Sequence, residues 1–357
     1  MANISGDYPQ TERVPTGLWS LDNALGGVKD GKFDLGIPMT IMEIFGYQGI
    51  GKSVFASSLM SIISNYWKKR AVYAPFEHID VDLLRNILDF YKCENEISLL
   101  GTWNTVKSFF PSHKKGKDDK LTDELMLDCF IEAARREDYC VGVIDSLSTI
   151  YTIGEAGSSV ADRNMGRARI VSAFARALPQ ALRWREDSTF ATILLSHKTN
   201  PMGGGTPTNT GAPTTGGEVK KNVAKVRIAL RRLPELSFEM DSQKNLYEKN
   251  AFILEGRAEK NNFGRDDKKF YVAMLGGSGI HAGLTAMYEC KKFGLATFGK
   301  SVTLNGQKFD SVAKMTARAH AGDNEVFTPF IEALKDPSKV SKVREENDDA
   351  DQFIDEA

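Results

Sequence analysis

Thr40-Ile41-Met42-Glu43-Ile44-Phe45 runs directly into Gly46-Tyr47-Gln48-Gly49-Ile50-Gly51-Lys52-Ser53, and Val54-Phe55-Ala56-Ser57-Ser58-Leu59-Met60 follows at once. An apolar, β-prone run breaks into a glycine-rich turn and then into a helical segment. That is the setting in which G-x-x-x-x-G-K-[ST] carries chemical meaning. Glycines let backbone N–H groups converge on phosphate oxygens, and the start of the following helix adds partial positive charge. The run Gly46, Tyr47, Gln48, Gly49, Ile50, Gly51, Lys52, Ser53, Val54 is therefore expected to cradle a nucleoside triphosphate. Lys52 would reach the β- and γ-phosphates, and the Ser53 hydroxyl would ligate Mg²⁺.

The rest of the chain is compatible with a sizeable folded core. Its 357 residues suit one large domain with appendages, or two domains, and 41% hydrophobic with 26% charged residues is ordinary for a globular protein. The formal net charge of -1 hides an asymmetry, because Glu345-Glu346-Asn347-Asp348-Asp349-Ala350-Asp351 and Asp355-Glu356 form an acidic tail on an otherwise basic body. A basic body suits a polyanionic partner. Cys93, Cys129, Cys140 and Cys290 are scattered without a C-x-x-C pair, which favours reduced thiols over a zinc site. Met1 to Asp7 has neither a basic start nor an apolar run, and no apolar stretch is long enough to span a bilayer. A soluble, cytoplasmic protein without membrane contact is expected.

In chain order, residues 1–16 read as a polar arm and Leu18–Leu25 as a short helix closed by Gly26-Gly27. Ala71 to Glu77 reads as a strand, followed by helix near 81–91, a short strand at Ile97–Leu100 and a helix near 122–136. The lysines between 107 and 121 make a basic surface loop, either simply solvated or adding phosphate contacts. Cys140–Ser146 and Phe190–Ser196 are buried-type strands flanking a long helix over 165–185, and Gly154 to Asp162 is a loop. Pro201 to Gly217 has no regular pattern. Strands recur near 224–232, 250–256 and 269–275 without long helices between them, which suggests antiparallel pairing there. Helices are expected near 283–293, 309–319 and 324–335. The pattern predicts an α/β fold, a mostly parallel sheet with an antiparallel extension flanked by helices. The divisions are an arm over 1–16, a core over 17–280, a helical lobe over 281–343 and a tail over 344–357.

Three further residues narrow the chemistry. Asp145 closes an apolar strand, where an acid can hold Mg²⁺ beside the P-loop. Glu77 ends the strand after the P-loop helix and is either a carboxylate that polarises attacking water or a solvated strand-end acid. His197 follows the strand Phe190–Ser196 at the carboxyl edge, where ligands bind in open α/β sheets. It is either a γ-phosphate contact or a structural histidine.

These segments together resemble the RecA family. Thr16-Gly17-Leu18-Trp19-Ser20-Leu21-Asp22 with Ala24-Leu25-Gly26 is similar to the T-G-x-x-x-L-D-x-A-L-G run that opens the core of that family. Phe76-Glu77-His78 resembles the run carrying its catalytic glutamate, and Val143-Ile144-Asp145-Ser146 its Walker B strand. Asn164-Met165-Gly166 with Arg169 and Arg176 resembles the first DNA-binding loop and its helix. Thr214-Thr215-Gly216-Gly217, Val226-Arg227-Ile228 and Arg231-Arg232 resemble the end of the second loop and the strand after it. Glu259-Lys260-Asn261-Asn262 and Gly276-Gly277-Ser278-Gly279-Ile280 resemble the segment that sends a lysine into a neighbour's ATP site. The order is kept from Thr16 to Phe293, and His197 with Met202-Gly203-Gly204-Gly205-Thr206 is most similar to the phage branch of the family. Two departures stand out: the family's N-terminal helix has no counterpart before Thr16, and Asn262 stands where RecA has a second lysine. Lys260-Asn261-Asn262-Phe263-Gly264 also resembles the K-N-R-F-G motif of the RadA/Sms helicases.

The resemblance implies a RecA-like P-loop ATPase core with ATP and Mg²⁺ as cofactors. It implies catalytic roles for Glu77, Lys52, His197 and Lys260 and metal ligation by Ser53 and Asp145. DNA contacts would come from Arg169, Arg176, Lys198, Met202, Gly203, Gly204, Gly205, Gly216 and Gly217. Met202 would be an apolar wedge between bases. The implied partners are single- and double-stranded DNA, further copies of the chain in a filament, and single-strand-binding and mediator proteins. The implied setting is the cytoplasm of a phage-infected bacterium. The implied activity is DNA-dependent ATP hydrolysis coupled to homologous pairing and strand exchange. A ring-forming helicase or translocase, or a regulatory paralogue without strand exchange, is the alternative. The acidic tail would mimic DNA, recruit a partner, or simply aid solubility.

Overall fold

The computed structural model describes residues 11–29, 32–77, 79–112, 121–150, 160–198, 222–233 and 251–335. Two compact units emerge, the first from the described residues within 1–15, 24–231 and 257–268, the second from those within 16–23, 232–256 and 269–357.

The first unit is an α/β layer built on strands β1 (Ile41–Gly46), β2 (Arg70–Pro75), β3 (Ile97–Leu99), β4 (Tyr139–Asp145), β5 (Ala191–His197) and β6 (Val226–Arg232). Their spatial order is β6-β1-β5-β4-β2-β3 and every neighbouring pair is parallel. Every residue of β1 and all but the last of β4 are buried, so these strands read as continuous apolar runs instead of alternating ones. Connecting helices are α1 (Lys52–Trp67), α2 (Val81–Phe90), α3 (Trp103–Phe109), α4 (Asp123–Arg135) and α5 (Val160–Arg183). α2, α3 and α4 begin on the side-chain caps Asp80, Thr102 and Thr122, whereas α1 begins at Gly51 with no side-chain cap.

Packing between α4, α5 and the sheet centres on Phe130. Its ring meets Phe174 and Phe190 edge-on, with centroids 5.9 and 6.4 Å away. A Cβ at position 142 would come within 2.4 Å of the Phe130 ring, so only glycine in β4 lets α4 lie this close. Arg185, the last residue of the helix expected over 165–185, lies beyond the end of α5 and is buried. Its guanidinium donates to the carbonyls of Ala134, Arg136 and Tyr139 and pins the end of α4 to the start of β4.

Several expectations shift. β6 was expected to turn antiparallel, yet it pairs parallel with β1 through Val226 opposite Met42 and Ala229 opposite Phe45. More than a dozen residues separate β5 from β6, which is what a parallel crossover requires. The change of direction comes later: β7 (Ala251–Asn261) is followed by β8 (Lys268–Leu275), whose end pairs antiparallel with Gly279–Ile280. In the arm, Arg13–Val14 pairs antiparallel with Ile37–Pro38 of the same chain. Two expected loops are shorter at one end: Val160–Asp162 of the expected Gly154–Asp162 loop belong to α5, and Lys107 of the expected 107–121 loop belongs to α3. Residues 113–120 and 154–159, Pro201–Gly217 and the acidic tail lie outside the described residues. The cysteines are free thiols, with Cys129, Cys140 and Cys290 buried.

The second unit packs α6 (Ala282–Lys292), Val312–His320 and Thr328–Leu334 around Met287, Met315, Phe327 and Phe330. Beside them lies a small antiparallel sheet of Ala296–Phe298, Val302–Leu304 and Gln307–Lys308. Its last hairpin turns on Asn305 and Gly306, at φ 50 and 85°, the conformation an Asn-Gly turn supplies.

Glu289 of α6 is fully buried and accepts the Ser20 N–H at 3.1 Å. Burial pushes its carboxyl up from 4.5 to about 7. The folded state therefore holds this proton more tightly than the unfolded chain, so stability should fall as pH rises from about 4.5 through 7, by an amount of order 3 kcal/mol. Denaturant titrations across this range should show the loss in the native chain and a flatter profile in Glu289→Gln.

Candidate functional site

Register sets the site. Gly46 lies opposite His197 across β1 and β5, and Pro75 lies opposite Asp145 across β2 and β4. The carboxyl ends of four neighbouring strands thus open on one edge, and the P-loop sequence starts there.

Gly49 and Gly51 take φ of 77 and 99°, left-handed values that L side chains rarely adopt. Gly46 is needed for a different reason: a Cβ there would lie 2.4 Å from Ile50 Cδ1 and 2.6 Å from the Leu230 carbonyl oxygen. Lys52, the first residue of α1, is buried, and its ammonium donates to the carbonyls of Gly46 at 3.2 Å and Tyr47 at 2.8 Å. It lies 3.4 Å from His197 Nδ1. Burial lowers the Lys52 pKa, and Asp145 and Glu77 oppose that shift.

Asp145 holds the acidic half together. Its carboxylate accepts the Tyr73 phenol at 2.8 Å. Burial raises its pKa, against the lowering pull of the Ser53 and Tyr73 hydroxyls. Its carbonyl accepts the N–H groups of Phe76 at 2.7 Å and Glu77 at 2.9 Å, clamping the end of β2 to β4. The Asp145–Ser146 peptide is cis.

Glu77 Oε1 receives the Ser146 hydroxyl at 2.6 Å and lies 2.7 Å from His197 Nε2. Ser148 pairs with Ser146 behind it. Burial alone would raise the Glu77 pKa, but the Ser146 and His197 bonds and the charges of His197 and Lys52 bring it below the ordinary value. The Lys198 N–H donates to Gly46 O at 3.1 Å, so that one carbonyl serves both Lys198 and Lys52. The Lys198 ammonium lies 5.5 Å from the centroid of the exposed Tyr47 ring.

Of the residues singled out from the sequence, Lys52, Ser53, Glu77, Asp145 and His197 converge here, with the Gly46–Val54 loop. Lys260 does not. It sits near the end of β7, and its ammonium donates at 2.7 Å to the carbonyl of Ala224, which precedes β6 at the amino edge of the sheet. Arg169 and Arg176 are exposed on α5 and Lys198 is exposed at the exit of β5. Met202, Gly203, Gly204, Gly205, Gly216 and Gly217 lie outside the described residues. Sequence reasoning missed Tyr73, Ser57 and Ser148, and quoted Ser146 without a role. The one available signal was a tyrosine in an otherwise apolar strand, four residues before Glu77.

The donor set suits the expected groups. A hydroxyl and a carboxylate offer hard oxygens, and Mg²⁺ is normally held by one or two protein oxygens together with phosphates and water. Among the described residues no three His, Cys, Asp or Glu side chains cluster as an all-protein cage. The glycine cradle leaves backbone room that a Cβ at Gly46 would fill.

The fold and this edge define an α/β protein with a large, mostly parallel sheet and a P-loop sequence at the end of a central strand. The chain is similar to the protein RecA of a Nitratiruptor species, 30% identical over 228 residues. The match covers 63% of this chain and 57% of that relative, a little over half of its length. This similarity supports a relation to the RecA proteins. No family model matches the chain.

Gly46→Ala should weaken nucleotide binding and cost about 1–3 kcal/mol of stability, since the Leu230 carbonyl is backbone and yields only by moving β6. Denaturant unfolding alongside binding of a fluorescent ATP analogue checks both.

Proposed function

We propose that this protein is an ATP-dependent homologous recombination protein. It binds single-stranded DNA, assembles on it as a filament, and couples DNA-dependent ATP hydrolysis to homologous pairing and strand exchange. The observation that carries this reading is the convergence of Lys52, the Ser53–Asp145 pair and the Glu77–His197 pair on the edge where the segment beginning at Lys198 leaves the sheet. The similarity to RecA supports it.

On this reading the Gly46–Val54 backbone and Lys52 hold the triphosphate, and Ser53 with Asp145 holds Mg²⁺. The ion supplies positive charge that offsets the phosphate oxygens. Glu77, kept ionised by Ser146 and His197, orients and polarises the attacking water. His197, bonded to Glu77 and close to Lys52, links that end of the site to Lys198 and the Gly/Thr segment after it, which would contact DNA. Lys260, remote from this edge in its own chain, would act on the nucleotide of a neighbouring copy. Arg169 and Arg176 would bind phosphates, giving salt-sensitive and weakly sequence-dependent affinity. Within the family we favour a UvsX-like phage recombinase, working in the cytoplasm of an infected bacterium on single- and double-stranded DNA with single-strand-binding and mediator proteins. His197 and Met202-Gly203-Gly204-Gly205-Thr206 support that narrower placement.

Among the described residues no helix is long and apolar enough to cross a membrane.

Negative-stain imaging with single-stranded DNA and a non-hydrolysable ATP analogue should show helical filaments; closed rings with directional unwinding would favour a helicase instead. ATP turnover should rise on adding single-stranded DNA, and an unresponsive rate would favour a regulatory paralogue. Lys52→Ala should lose nucleotide binding. Glu77→Gln should keep binding while turnover drops by roughly 10²–10⁴.

A further inference from the structure

Tyr73 brings a polar atom into an apolar strand. The residue is 1% exposed, on β2, opposite Val143 of β4. Side chains alternate along strands, so Val143 and Asp145 share one face of β4, and the phenol reaches along that face to Asp145 Oδ2 at 2.8 Å. Because a carboxylate oxygen only accepts, the phenol donates to Asp145. Ser57 follows Ser53 by four residues on α1, so both hydroxyls lie on one helix face. One turn of α1 thus sets two hydroxyls beside this pair, that of Ser53 acting on the Asp145 carboxylate and that of Ser57 on the Tyr73 phenol.

The terminal torsion of an aspartate is soft and lacks sharp rotamer wells. Without the phenol the carboxylate is free to rotate about that bond, whereas the hydrogen bond at 2.8 Å selects one setting. We propose that Tyr73 is a positioning residue for the metal site: its phenol holds the Asp145 carboxylate in the orientation that the site uses. This rests on the reading of Ser53 and Asp145 as the groups that hold Mg²⁺. Phenylalanine would fill the same volume, so the hydroxyl is the part with a function.

The test is binding of a fluorescent ATP analogue to the full chain as Mg²⁺ is titrated, with no turnover measured. Tyr73→Phe should need about tenfold more Mg²⁺ to reach half of the Mg²⁺-dependent gain in affinity, the scale of one hydrogen bond to a charged group. Its Mg²⁺-free affinity should stay at the native value, while its thermal midpoint falls by the few degrees that one lost buried hydrogen bond costs. Asp145→Asn should lose the Mg²⁺-dependent gain. A Tyr73→Phe protein with the native Mg²⁺ requirement, beside an Asp145→Asn protein that has lost the gain, overturns the role of Tyr73 alone. An Asp145→Asn protein that keeps the gain overturns the metal assignment and the proposal with it. An equal fold-loss of Mg²⁺-free and Mg²⁺-dependent affinity in Tyr73→Phe would make the hydroxyl structural and also overturn it.

Discussion

Everything at the carboxyl edge depends on the in-register pairing of β5 between β1 and β4. Ile44 faces Leu195, Ile144 faces Leu194, and the strands therefore end together. A slip of one residue would turn every inward side chain of β5 to the opposite face. It would also carry His197 away from Glu77 and Lys52 at once, since a strand advances about 3.3 Å per residue, as far as a hydrogen bond reaches. Burial of the strands on both faces makes the register costly to change, because each slipped residue would have to repack against helices on both sides.

The same burial sets the electrostatics. Asp145 and Glu77 are both desolvated, yet their proton affinities are driven apart: Asp145 upward, Glu77 downward. Burial raises both; at Asp145 it outweighs the hydroxyl donors and is helped by the charge of Glu77, whereas at Glu77 the bonds to Ser146 and His197 and the charges of His197 and Lys52 outweigh it. Two carboxylates in one pocket with opposed tendencies are suited to separate tasks, one holding its charge and one sensitive to an added cation. Lys52, with its own pKa lowered by burial, stands between them and the P-loop carbonyls.

Much of this was legible in the sequence, for physical reasons that differ by residue. The glycine spacing of Gly46, Gly49 and Gly51 and the apolar runs of β1, β4 and β5 announced a buried sheet and the place of its ligand edge. Lys52, Ser53, Glu77, Asp145 and His197 were readable because each ends a strand or begins a helix, so sequence position alone implies a common edge. The role of Tyr73 was not, since it comes from a bond to Asp145 on a neighbouring strand, a pairing that only the sheet order brings about. The direction of β6 is not legible because strands without a helical pattern between them suggest antiparallel pairing, whereas the length of chain between β5 and β6 permits the parallel crossover that forms. The small sheet after α6 was overlooked although Asn305-Gly306 marks its turn, its strands being only two or three residues long. Lys260 illustrates the opposite limit: the motif was visible, but the side chain lies at the other end of the strands in its own chain.

The carbonyl oxygen of Gly46 has two lone pairs and two lysines drawing on them, the Lys52 ammonium at 3.2 Å and the Lys198 main-chain amide at 3.1 Å. It is a junction at which one group's departure alters the other's bond. A Lys52 ammonium drawn off toward an anion would leave the Lys198 amide as the sole claimant, tightening the first residue of the outgoing segment against the P-loop. The polarity of a single peptide group would then act as a relay, passing the occupancy of the loop to the chain that follows β5 without any side chain of that segment having to touch the nucleotide.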